Sequence, residues 1–132
     1  MAPSERSTEY AVRIIAAPLA AVIAAGAVAL VLGLICLPLV RFHSTAVYYV
    51  SVALQCLAKG FAFVFAGSFV LPGRWRVGGA LVLIVIGIAV HMHMMRSYTS
   101  DPQPPLWPLF AEIAGGLIAV AVQHIRRPRN ES

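Results

Sequence analysis

The chain has 132 residues, ten lysines and arginines against five acidic residues, and 60% hydrophobic side chains. Charged residues make up 11%, against about 25% in a typical soluble domain, which leaves no polar shell for a water-soluble protein of this length. The net charge of +5 sits on arginines scattered singly or in short groups between apolar runs, a pattern that marks membrane ends rather than a nucleic-acid surface.

Four apolar runs, each long enough to cross a bilayer, predict an all-α membrane protein with four transmembrane helices in an up-down-up-down bundle. Residues 1–13 form a short N-terminal segment, and span one covers 14–40 without a single charge. That run is too long for the apolar core of a signal peptide, so cleavage is not expected. Ala17, Ala21, Ala25, Ala29 and Gly33 recur at every fourth position. Such a stripe of small residues lets another helix approach closely. Cys36 in this span and Cys56 in the next have no CxxC spacing and read as buried small hydrophobes.

The short linker RFHST leads to span two, residues 46–71. Its one charge is Lys59. A mid-span lysine costs roughly 3 kcal/mol on insertion scales, which the surrounding Leu, Ile, Phe and Val residues offset. Ser51, Gln55 and Lys59 fall at i, i+4 and i+8 and make a polar track on one helix face. Ala58, Ala62 and Ala66 form a second small stripe, and Phe61, Phe65 and Phe69 a bulky one suited to lipid or to filling gaps.

The turn PGRWR leads to span three, 77–95, which ends in AVHMHMMRSY. His91 and His93 point to nearly opposite sides of a helix, so one metal ion cannot easily take both. His91, Met94 and Met95 share a face at i, i+3 and i+4, a set that suits Cu(I), with His43 or Glu112 as a further ligand. Haem needs histidines on different helices, and His43 and His91 are the candidates. The leading reading of the stretch is a helix end near the membrane boundary. No cofactor is expected, and copper or haem are the alternatives.

Residues 96–105 form a Pro-rich outer loop, and along the linker SYTSDPQPPLWP Pro102, Pro104, Pro105 and Pro108 oppose helix. Span four, 106–125, carries Glu112, His124 and the small residues Ala111, Gly115 and Ala119. Residues 126–132 are a basic tail. Lysine and arginine near the span ends fall unevenly. Arg6, Arg13, Arg74, Arg76, Arg126, Arg127 and Arg129 gather on one side, with Arg41 and Arg96 on the other. Both termini are therefore expected in the cytoplasm, and the Ala, Val and Arg usage suggests a bacterial inner membrane.

Ionisable residues inside spans are the default functional suspects because each is costly there. Counting helical rise from the outer linkers puts Glu112 and His91 at similar depth and Lys59 about 10 Å deeper, meeting Glu112 only through water or Gln55. The expected site is an outward-opening polar pocket of Ser51, Gln55, Lys59, His91 and Glu112. Length and span count are similar to those of four-span multidrug exporters, but their membrane carboxylate lies in the first span, where this chain has none, and no role is carried over. No nucleophile–base pair or phosphate loop appears, so an enzyme is the least favoured class. The leading functional reading is an accessory or structural subunit that works by helix association, with the bilayer, further copies of itself or other membrane subunits as partners. The second is a small transporter or ligand-binding protein using the Lys59 pocket, and the third a metal or haem protein centred on His91.

Overall fold

The computed structural model describes residues 3–42, 45–98 and 105–125, with side chains for 7–38, 45–97 and 105–125. His43, the 99–104 part of the outer loop and the basic tail lie outside the described residues. Four helices follow one another: α1 Pro3–Phe42, α2 Thr45–Val70, α3 Arg76–Tyr98 and α4 Trp107–Ile125, with a 3₁₀ turn Gly73–Trp75 between α2 and α3. All four are long and apolar enough to cross a membrane.

Helix α1 runs for 40 residues with Pro18 and Pro38 inside it. Each proline removes one backbone donor, a loss that helices in apolar surroundings tolerate when neighbouring groups take up the freed carbonyl. Helix α2 stops before Pro72, which disfavours helical backbone at the residue before it. The freed carbonyl at its end does not stay bare. Leu71 N–H donates to Ser68 O at 3.2 Å, and Arg76 Nε donates to Leu71 O at 3.2 Å. Helix α4 starts one residue before Pro108, which therefore lies in the helix rather than in the loop. The first-turn N–H groups of a helix have no intrahelical acceptor, so proline there forfeits nothing.

Helix α2 is the hub. It packs along α1 on one side and α4 on the other, and α3 lies against both α2 and α4. The contacts are close because glycines face backbone. A Cβ on Gly60 would overlap the Glu112 carbonyl, and a Cβ on Gly115 would overlap Leu57 O and come within 2.8 Å of Phe61 N. On the α1 side, a Cβ on Gly67 would lie 2.9 Å from Ala21 Cβ and 3.0 Å from Ala17 O. Gly60 and Gly67, seven residues apart, therefore set both crossings. The Ala58, Ala62 and Ala66 stripe does not; those residues are only half-buried. On α1 only the first part of the stripe is used, since Ala17 and Ala21 are buried while Gly33 has open space around it.

The core is small: Ala21, Val64, Ala80, Leu83 and Ala119, with Phe61 and Phe65 packed against it. Phe61 stacks on Phe65 at 5.3 Å between ring centroids, and Phe65 on Phe69 at 6.1 Å. Phe69 is exposed, so the phenylalanine row passes from core to surface. Cys36 and Cys56 are free thiols and half-buried rather than buried. Two aromatic contacts mark opposite ends of the bundle. Arg74 lies over the Tyr10 ring at 5.5 Å, and Tyr49 meets Trp107 edge-on at 5.6 Å.

Candidate functional site

Three ionisable side chains from three helices meet at one oxygen. Lys59 Nζ on α2 lies 3.3 Å from Glu112 Oε2 on α4, and His91 Nδ1 on α3 lies 2.6 Å from the same atom. The Lys59 side chain is 32% exposed, Glu112 16% and His91 14%. An ionised carboxylate has only lone pairs to offer, so opposite one the facing ring nitrogen must carry the hydrogen, with His91 donating from Nδ1. An ammonium at Lys59, a carboxylate at Glu112 and a neutral imidazole at His91 would together carry no net charge.

The direct contact of Lys59 with Glu112 corrects the expectation of a water or Gln55 between them. Helix register explains it. Gly60 sits against the Glu112 backbone, so residues 59 and 112 lie at one level. The linkers outside the helices do not set that level, and counting from them placed Lys59 too deep.

The cluster forms part of the wall of a cleft of about 500 Å³. Helix α1 supplies Val22, Ala25, Gly26 and Ala29 to one side, and α3 supplies Gly87, Val90, His91, Met94 and Met95 to the other. Lys59 and Phe63 of α2 and Glu112 of α4 complete it. The size falls within the roughly 300–1,000 Å³ of small-molecule sites. Most of the lining is apolar, and Val22, Val90 and Met94 are each more than half exposed.

Of the expected pocket, the structure brings Lys59, His91 and Glu112 together and leaves Ser51 and Gln55 apart. Ser51 is buried and Gln55 half-buried on α2, and neither lines the cleft nor hydrogen-bonds to the cluster. Of the possible metal ligands, His91, Met94 and Met95 do line one cleft, while His43 lies outside the described residues. Among the described residues no group of three His, Cys, Asp or Glu side chains could hold a metal ion.

Comparison with family models, with curated proteins and with solved structures finds no match.

A second polar node lies further along the α2–α4 contact and was not singled out from sequence. Gln123 Nε2 donates to Ser68 Oγ at 2.5 Å and to Phe65 O at 3.2 Å. Ser68 Oγ donates in turn to Val64 O at 2.5 Å. Ser68 is fully buried, and Gln123 Oε1 is buried without a partner among the described residues. The signal was present, because an amide in a span needs a partner as much as a charge does.

Proposed function

We propose that this chain is an integral membrane protein that binds, and in a transporter carries, a small ligand in the cleft between α1 and α3. The observation that carries the reading is the convergence of Lys59, His91 and Glu112 on one carboxylate oxygen at the wall of that cleft. A cluster whose only task is to fix helix register needs no open space beside it. Here the polar atoms border a volume large enough for a ligand, and two of the three side chains have bonding capacity left. The Lys59 ammonium carries three N–H groups, and the contacts of Lys59 and His91 with Glu112 both fall on Oε2 rather than Oε1.

In this reading the chain crosses a bacterial inner membrane up-down-up-down with both termini in the cytoplasm. The arginine asymmetry supports that orientation. The contact of Tyr10 near the start of α1 with Arg74 in the α2–α3 turn, and of Tyr49 with Trp107 at the other end, fits the up-down order but carries no sign of which end is cytoplasmic. A test is thermal unfolding of the full chain in mild detergent against a panel of small amphiphiles. At least one should raise Tm in the parent and fail to do so in Gly26→Leu, which fills the cleft from α1. A panel with no such compound contradicts the reading.

Helix association as an accessory subunit is the second reading. It is favoured by α1, whose Gly26 and Gly33 face open space and whose Leu30, Leu34 and Leu37 are about two-thirds exposed. Purification at fixed stoichiometry with another membrane protein, or as a defined homo-oligomer, would support it. Copper or haem at His91 is the third, and elemental analysis of the natively purified chain tests it.

A further inference from the structure

If the cleft is a ligand site, as proposed above, the charge state of its wall restricts what enters. We infer that its ligand is an uncharged single-chain lipid from the bilayer, with a hydroxyl head that accepts a hydrogen bond from Lys59 Nζ and donates one to Glu112 Oε1.

Charge and bonding capacity select the head group. The ammonium and the carboxylate already neutralise each other at 3.3 Å. A cationic head seeking Glu112 meets the Lys59 ammonium beside it. An anionic head seeking Lys59 meets the carboxylate. Either one leaves a net charge in an apolar cleft, where a lone charge is costly. A hydroxyl adds no charge and has what the wall lacks on both counts. It has lone pairs for the N–H groups of Lys59 and a hydrogen for Glu112 Oε1, the oxygen opposite the one that His91 and Lys59 contact. Such bonds gain strength away from water.

The remainder of the cleft fits an apolar chain. Ala25, Gly26 and Ala29 make a smooth wall on α1, and a Cβ added at Gly26 meets nothing within 4 Å. Opposite them, Val90, Met94 and Met95 are apolar, and methionine side chains adapt to irregular shapes. Val22 and Val90 at the flanks are 61% and 51% exposed, which leaves a lateral path from lipid.

The test uses the full chain in lipid nanodiscs and three photoreactive probes with one alkyl chain and different heads: hydroxyl, sulfonate and trimethylammonium. The charges of the last two do not titrate. Crosslinked peptides are mapped by mass spectrometry. The hydroxyl probe should label the segments 22–29 and 90–95 several-fold more than the other two, and unlabelled long-chain alcohol should compete. Gly26→Leu should remove this labelling without lowering Tm, because its side chain enters open space. If a charged probe labels the cleft as well as the hydroxyl probe does, the inference is overturned while the cleft remains a ligand site. If no probe gives labelling that Gly26→Leu removes, both the inference and the ligand-site reading are overturned.

Discussion

His91 on α3 and Glu112 on α4 stand 2.6 Å apart, nitrogen to oxygen, and the oxygen that joins them also receives Lys59 from α2. Glu112 is therefore the pivot of the cluster. Removing it strands a cation, and removing a cation leaves it one donor short. Glu112→Leu is expected to destabilise the chain by about 3–5 kcal/mol, the cost of an uncompensated charge in a buried setting. The double change Lys59→Met with Glu112→Leu should recover most of that loss, since apolar residues often replace a buried pair without penalty. Denaturation in detergent measures both. A register-fixing role predicts that the stable double variant keeps whatever activity the parent has; the ligand-site account predicts that it binds nothing in the cleft.

The α2–α4 crossing responds to single methyl groups. Gly60→Ala and Gly115→Ala each push a Cβ into the backbone of the facing helix. Each should cost about 1–3 kcal/mol or more, as overpacking does. Gly33→Ala on α1 meets nothing within 4 Å and should be neutral or stabilising by up to about 1 kcal/mol, because alanine favours helix. Melting curves of the three variants check the contrast. Equal losses at Gly33 and Gly60 would remove the basis for the described α2–α4 packing.

Gln123→Leu should change stability by less than about 1 kcal/mol, even though the side chain makes two hydrogen bonds. Bonds between helices in a membrane average about 0.6 kcal/mol. The substitution also removes Oε1, which is buried without a partner among the described residues. A loss above about 2 kcal/mol would point to a partner for that oxygen, such as an ordered water.

Much of this arrangement was legible in the sequence, at different resolutions. Runs of apolar residues located four helices because backbone polar groups in lipid must be paired within the segment. Lys59, His91 and Glu112 stood out because a charge there is costly. Depth was less legible. Counting from the helix ends sets Lys59 a turn or two too deep. The real register comes from Gly60 and Gly115 at the α2–α4 crossing, whose role depends on which faces meet, and every-fourth-residue alanines look more regular than Gly60 and Gly67 seven apart. Ser51 and Gln55 share a helix face with Lys59, yet the cleft opens beside Lys59 alone, because its other walls come from α1 and α3. A face on one helix does not say which neighbours enclose it. Pro108 read as loop because a first-turn proline looks the same in sequence as one that breaks a helix.

Orientation has its own check. Reporter tags at the two termini should both report the cytoplasmic side, as the arginine distribution requires. Labelling of the ends from opposite sides would give an odd number of crossings and discard the proposed topology.

The most direct measurement is solid-state NMR on the chain in lipid bilayers with nitrogen-labelled histidine and lysine and carbon-labelled glutamate. The account predicts that His91 carries its hydrogen on Nδ1, and that the Glu112 carboxylate carbon shows close contacts to both His91 Nδ1 and Lys59 Nζ. A His91 ring protonated only at Nε2, with no correlation to Glu112, would contradict it.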